Sequence, residues 1–350
     1  MLAQFSTSPI CQQLTISRYA RVCVTIYWGW GGHHILMQIV DLRQVRARAL
    51  EHLFQEEVLR WREELHWDYR PSIDLIRRFV DSRALGGYVA TENGEAVGYG
   101  FYVLEDHKGL IGDFYVRPGP HSALYESLLL SSVVESLINT PGIRRIESQL
   151  LLNRGGIQGG PLPFDRYAAR FDREFMSIDA AAIFDLERRD LEGGLRLVPW
   201  NDRFHEETAH LIAASYRGHV DSQINDQYRT IPGARRFLTN IIKYPGCGQF
   251  SPQSSIVAID DASGHVRGVC LASLVSEVSG HVTQLCILPA MRGFGLGYEL
   301  LRRSLTEVVR EGRSMASLTV TSGNTGAIRL YESMGFRHHA TFPALVWEGF

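Results

Sequence analysis

Apolar positions along this chain change period repeatedly, and the changes mark out alternating strand-like and helix-like stretches. From Gln38 a short apolar run (38–42) gives way to helical spacing over about 43–66 and again over 72–83. Brief runs rich in Val, Ile and Leu then predict strands near 87–92, 95–105 and 108–117, a helix at 121–138 and a strand at 143–150. From Leu195 the order returns. A strand at 195–198 precedes helices near 202–217 and 233–243, strands near 255–260, 265–276 and 280–288, a helix at 295–311 and a strand at 314–321. The helix at 295–311 is the plainest, with Leu296, Leu300, Leu301, Leu305 and Val308 on one face of a 3.6-residue period. "ENGE" (92–95) and "DASG" (261–264) supply the turn residues between strands.

The recurrence extends to single residues. "FYVRP" (114–118) aligns with "LCILP" (285–289) at a shift of 171 positions, and the same shift pairs Asn153 with Asn324. The expected organisation is therefore two copies of one mixed α/β unit, 37–187 and 195–350, joined near the charged, glycine-ended "DLERRDLEGG" (185–194). The first 36 residues lack a helical stripe and lack the basic start and unbroken apolar centre of a signal peptide. They read as a loose extension, or as residues preceding a biological start at Met37, with an edge strand at Val22–Tyr27 as the other reading.

Composition narrows the class. A length of 350 residues suits two domains, and 45% hydrophobic with 21% charged residues is that of an ordinary globular protein. The net charge of -2, without a basic stripe, argues against nucleic acid, and no run of about 20 apolar residues suggests a membrane span. The five cysteines (Cys11, Cys23, Cys247, Cys270, Cys286) are odd in number and scattered. They form no metal-ligand pattern or disulfide framework, so no metal and a cytoplasmic location are expected.

"PAMRGFGLGYELL" (289–301) places glycines at 293, 295 and 297 between a predicted strand and a predicted helix. It is neither a Rossmann fingerprint, which needs GxGxxG in a first βα turn, nor a Walker loop, which needs a following lysine. Its physics is still that of a phosphate cradle. Bare glycine backbone permits close approach, and the first amides of a helix have no internal partners. A tight turn with glycines for helix packing is the structural alternative.

Together, "QLCILPAMRGFGLGYELL" and "LTVTSGNTGAIRLYESMGF" resemble the GNAT-type N-acetyltransferases. That family's signature [QR]-x-x-G-x-[GA] is met by Arg292, Gly295 and Gly297, and its second signature by Asn324, Leu330, Tyr331, Gly335 and Phe336. The resemblance is strong over about 195–350 and weaker over 38–187. It implies a mostly antiparallel central sheet flanked by helices, and acetyl-CoA lying between the fourth and fifth strands. By motif position, the backbone of Leu285, Cys286 and Ile287 would meet the pantetheine, and the amides of Arg292, Gly293, Phe294, Gly295, Leu296 and Gly297 would take the pyrophosphate. Asn324 would contact the cofactor, and Tyr331 would donate a proton to the departing thiolate.

An amine acceptor must lose a proton before it attacks. Some members place a glutamate where this chain has His281, so His281 is the candidate base, with a solvent-facing histidine as the other reading. Another member-specific glutamate position is Thr319 here, which closes that route. Cys286 suggests a covalent path, but a lone cysteine in an apolar strand is ordinarily core. The loop "SYRGHVDSQINDQYR" (215–229) offers His219, Asp221, Asn225 and Tyr228 as substrate-binding candidates.

The first copy departs from the signature. At the same shift Arg292 becomes His121, Gly295 becomes Leu124 and Gly297 becomes Glu126, so side chains and a carboxylate stand where a pyrophosphate would lie. This copy is expected not to hold acetyl-CoA. The function implied is transfer of acetyl from acetyl-CoA to a primary amine of a small molecule or peptide. A non-catalytic acyl-CoA-binding sensor or scaffold is the alternative, and the sequence leaves the oligomeric state open.

Overall fold

The computed structural model describes residues 13–14, 20–28, 33–152, 161–191, 194–244 and 246–350, with side chains from Leu36 onward. Its hairpins reverse where turn residues stand. Asn93 (φ 51) and Gly94 (φ 90) adopt the left-handed conformation at one turn, and Gly264 (φ 74) does so at another.

The chain divides into two compact units: Met1–Glu57, Ile73–Ala169 and Trp347–Phe350 form the first, and Val58–Ser72 and Arg170–Val346 form the second. In chain order the first half contributes β1 (Gln13–Leu14), β2 (Ala20–Trp28), β3 (His33–Asp41), α1 (Glu51–Leu65) and α2 (Arg70–Asp81). It continues with β4 (Gly86–Glu92), β5 (Glu95–Glu105), β6 (Lys108–Val116), α3 (Ser122–Ile138) and β7 (Arg145–Gln149). The strands pair in the order β1-β2-β3-β4-β5-β6-β7, antiparallel except for the parallel pair β6–β7.

The remainder begins with β8 (Ala168–Asp179), α4 (Ala180–Phe184), β9 (Leu195–Pro199), α5 (His205–Ser215), α6 (Asp221–Ile224) and α7 (Ile231–Lys243). Then come β10 (Gln249–Phe250), β11 (Ile256–Asp260), β12 (Val266–Leu274), β13 (Ser279–Ile287), α8 (Leu296–Arg310), β14 (Met315–Thr321), α9 (Thr325–Ser333) and β15 (Arg337–Glu348). Here the strand order is β15-β8-β14-β13-β12-β11-β9, with β10 against β12 and β13–β14 as the parallel pair. Each unit is thus a mixed, mostly antiparallel sheet with helices.

The repeat is visible in the backbone itself. Between β5 and β6 the register steps from Phe101↔Asp113 to Tyr102↔Ile111 and skips Gly112. Between β12 and β13 it steps from Leu271↔Gln284 to Ala272↔Val282 and skips Thr283, the residue 171 positions on.

In the second unit, α8 lays Leu296, Leu300, Leu301, Leu305 and Val308 on one sheet face with Val282, Leu318 and Val320. The opposite face packs Ile212 of α5, Leu238 of α7, Leu271 and Cys286. Burying each such Leu or Ile side chain stabilises the unit by about 1.5–3 kcal/mol, and two filled faces hold β13 in place. Thr230 caps α7 by accepting from the Gly233 amide at 3.1 Å.

Two features differ from the sequence reading. Part of the stretch read first as a loose extension is strand, in keeping with the alternative of a strand at Val22–Tyr27: Ala20–Trp28 pairs antiparallel with β3, while residues 1–12, 15–19 and 29–32 lie outside the described residues. The compact units also run differently from the halves drawn on the sequence. β8 pairs with β14 from Arg173↔Thr321 to Asp179↔Met315, and the 58–72 segment joins the second unit through Asp68 N–H to Val275 O at 2.8 Å.

Candidate functional site

β13 and β14 run side by side only from Ser279–Val282 against Met315–Leu318. Beyond that point β13 stays on β12 as far as Gly268↔Ile287, while β14 stays on β8. The strands part, and a cavity of about 590 Å³ opens between them. The Leu288 amide donates to Arg267 O at 2.9 Å. Antiparallel alternation then turns the amides of Gln284 and Cys286 toward β12, and the backbone groups of Leu285 and Ile287 toward the opening. One of these is occupied, since Ser215 Oγ donates to Ile287 O at 3.0 Å.

The glycine turn closes one end. Gly293 (φ 87) and Gly295 (φ 79) are left-handed, a conformation costly for any residue with a Cβ. Gly297 has another reason: a Cβ there would meet Ile287 Cδ1 at 2.8 Å, so its glycine lets α8 lie close on β13. Helical bonding begins with Glu299 N–H to Gly295 O at 3.1 Å, which leaves the first amides of α8 without intrahelical acceptors. Gly293, Gly295, Leu296 and Gly297 line the cavity; Phe294 is 69% exposed and does not.

Two arginines reach this end. Arg292 lines the cavity and donates from Nη2 to Ser215 O at 2.9 Å. Arg189, from the stretch between the halves, lies with its guanidinium 3.8 Å from the Tyr298 ring centroid, and its amide donates to Glu299 Oε2 at 3.2 Å.

Tyr331, on α9, is buried against Phe336 and lines the cavity. Burial raises its pKa, Cys270 and Asp221 add to the rise and Arg173 opposes it, so the phenol holds its proton. Asn324 caps α9, accepting from the Ala327 amide at 3.3 Å, and its Nδ2 lies 3.3 Å from His219 Nε2. Asp221 accepts from the Thr321 hydroxyl, and its Oδ2 is 3.9 Å from His219 Nδ1.

Gln284 stands at the bulge with a tyrosine on either side of its amide. Nε2 donates to Tyr216 OH at 2.5 Å, and Tyr228 OH donates to Oε1 at 3.3 Å. The two rings stack at 4.4 Å, and burial pushes both phenols up. The Cys286 thiol, buried in the core, is pushed up to about 12 and stays protonated, which disfavours a covalent route.

His281 is a correction. It is buried, lies outside the cavity wall, and sits 4.8 Å from the Trp67 ring and 6.2 Å from Phe175. Its Nδ1 is 2.9 Å from Ser317 Oγ. Desolvation, with the Arg173 charge, holds the imidazole down at about 3, so it is neutral and walled off from a substrate proton. Asn225 likewise does not line the cavity; its Oδ1 accepts from the Gln227 amide at 3.0 Å and caps a short turn. Sequence reasoning missed Arg173, Arg189, Tyr216 and Gln284, which do line it. Gln284 alone had an available signal, its place one residue before Leu285.

In the first copy Asp113 occupies the place of Gln284, buried beside Glu57, with Tyr99 OH 2.5 Å from Glu57 Oε2 and 3.1 Å from Asp113 Oδ2. Asn153 lies outside the described residues. Among the described residues, no helix is long and apolar enough to cross a membrane.

Residues 224–336 match the Acetyltransferase (GNAT) family. No curated protein matches the chain in sequence. Similar solved structures include a tandem GNAT protein from the clavulanic acid biosynthesis pathway, at 17% identity and TM-score 0.52, covering 75% of this chain and 82% of that one. A GCN5-related N-acetyltransferase from Sphaerobacter thermophilus has 16% identity and TM-score 0.59, covering 90% and 95%. A glucosamine N-acetyltransferase region of a fungal multi-domain β-N-acetylglucosaminidase has 15% identity and TM-score 0.57, covering 89% of this chain and 38% of that one. At these identities the likeness is one of fold.

Proposed function

We propose that this chain, which carries a GNAT acetyltransferase domain, moves an acetyl group from acetyl-CoA to a primary amine of a small molecule or peptide by direct attack, with the chemistry in its second unit. The parting of β13 from β14 carries the reading. It leaves the backbone of Leu285 and the amide of Ile287 for a strand-like pantetheine and leads to the glycine turn for a pyrophosphate.

Acetyl-CoA supplies an activated thioester. The amides of Arg292 through Gly297 suit its phosphates, with Arg292 and Arg189 contributing charge. The Leu285 amide would stabilise charge developing on the carbonyl oxygen. His219, which lines the cavity beside Asp221, replaces His281 as the group to take the ammonium proton. The amine nitrogen bonds to the acetyl carbon, the carbon–sulfur bond breaks, and Tyr331 gives its proton to the sulfur. The nitrogen's second proton passes to the Tyr331 phenolate and restores it, and His219 releases the proton it took to solvent.

Release of coenzyme A against an amine panel, with mass detection of N-acetyl products, tests this reading. Tight acetyl-CoA binding with no acetylated amine would reject it in favour of an acyl-CoA sensor.

A further inference from the structure

Every second residue of β14 from Ser317 to Thr321 carries a hydroxyl, and alternation puts all three on one face. Each holds a side chain brought by another element. Ser317 Oγ meets His281, Arg173 Nη2 donates to Thr319 Oγ1 at 3.2 Å, and the Thr321 hydroxyl donates to Asp221 Oδ1. Arg173 comes from β8 and Asp221 from the start of α6, and both line the cavity that Tyr331 lines.

A strand advances about 3.3 Å per residue, so the two threonines anchor a guanidinium and a carboxylate at points about 7 Å apart. Both charges act on the same two phenols: Asp221 raises Tyr228 and Tyr331, and Arg173 lowers them. All four groups line one cavity, so the cation and the anion both border the space an acceptor would enter. An ammonium is the natural partner of the one, and a carboxylate, with matching planar geometry, of the other.

We infer that the acceptor is a small amino-carboxylate, docked with its ammonium at Asp221 and its carboxylate at Arg173. This rests on the acetyl-transfer reading above. Asp221 draws the ammonium beside His219, which takes its proton. Arg173 keeps the molecule oriented with its nitrogen toward the thioester. A plain amine lacks the second contact.

Matched acceptors decide it. Each proteinogenic amino acid and short ω-amino acid is compared with its carboxamide and its decarboxylated amine, using the full chain and acetyl-CoA. Product is read by mass, and binding of the same compounds by calorimetry with coenzyme A present. The best amino acid should exceed its carboxamide in kcat/KM by at least about tenfold, the worth of a charged contact. Arg173→Gln should bring that ratio to within about threefold of unity, and Asp221→Asn should weaken binding of all three forms about tenfold or more. A carboxamide or plain amine used as well as its acid overturns the inference. So does an Arg173→Gln protein that melts lower but keeps the ratio, because the arginine is then only structural. If nothing is acetylated, the acetyl-transfer reading fails, and the calorimetric preference for acid over carboxamide decides the inference by itself.

Discussion

Ser317 Oγ lies 2.9 Å from His281 Nδ1 and donates its own hydrogen to Gly280 O at 3.3 Å. The serine oxygen is therefore an acceptor, and the imidazole is neutral with its proton on Nδ1. Trp67 and Phe175 close the remaining space around the ring.

That arrangement makes His281 an acid-sensitive point of the fold. Its folded pKa of about 3 lies below the ordinary histidine value of 6.5, so the unfolded chain binds the proton first as pH falls. Stability from this group is fully present above about pH 6.5 and declines between 6.5 and 3, by at most about 1.4 kcal/mol per pH unit. Denaturant unfolding at pH 7 and pH 5 should show a larger loss for the native chain than for His281→Asn, by about 2 kcal/mol. Equal losses would remove His281 as the cause.

The glycine turn separates strain from crowding. At Gly295 a Cβ meets nothing within 4 Å, yet φ is 79, so Gly295→Ala should cost about 1–2 kcal/mol through backbone strain alone. At Gly297 the backbone is helical, and the crowding atom is the tip of Ile287. Gly297→Ala should therefore shift that side chain into the opening used by Leu285 and Ile287. Both variants should weaken acetyl-CoA binding by calorimetry. Restoring affinity in Gly297→Ala by adding Ile287→Val would identify crowding as the mechanism; no restoration would refute it.

The sequence made some of this legible and hid the rest for physical reasons. The α8 stripe, the hairpin turns and the glycine loop are local patterns, and each lies within a residue or two of its expected place. β8 was not anticipated. "RFDRE" within it alternates poorly, because Arg173 lines the cavity, Asp172 is exposed, and none of the five residues is fully buried. His281 was misjudged because its surroundings come from Trp67 and Phe175, more than 100 positions away in the chain. Spacing within one strand carries no information about what a distant segment lays over it.

Gln284 ties together two stacked tyrosines that share its amide. Gln284→Leu keeps the bulk and removes both polar partners, leaving buried hydroxyls whose desolvation costs about 1–3 kcal/mol. The acceptor KM should rise about tenfold, while acetyl-CoA affinity, which depends on the glycine turn and the backbone of β13, stays within about twofold. A loss confined to acetyl-CoA binding would place Gln284 on the cofactor side instead.

Tyr331 provides the sharpest test of the chemistry. Desolvation raises its pKa, so the phenol stays protonated through the ordinary working range and is ready to donate to a departing thiolate. The sign of the shift matters. Deprotonation would begin only above the usual tyrosine range, so Tyr331 should impose no alkaline fall in kcat between pH 7 and about 10. Tyr331→Phe preserves the packing against Phe336 and removes only the proton, so it should lower kcat by about 10²-fold or more. Acetyl-CoA affinity and melting temperature should barely move. If thiolate departure is what suffers, the loss should be greatest when the leaving group is most basic. An acetyl thioester of a more acidic thiol should recover part of the rate in the Phe variant and gain little in the native chain. Uniform loss across leaving groups would assign Tyr331 to positioning the acceptor.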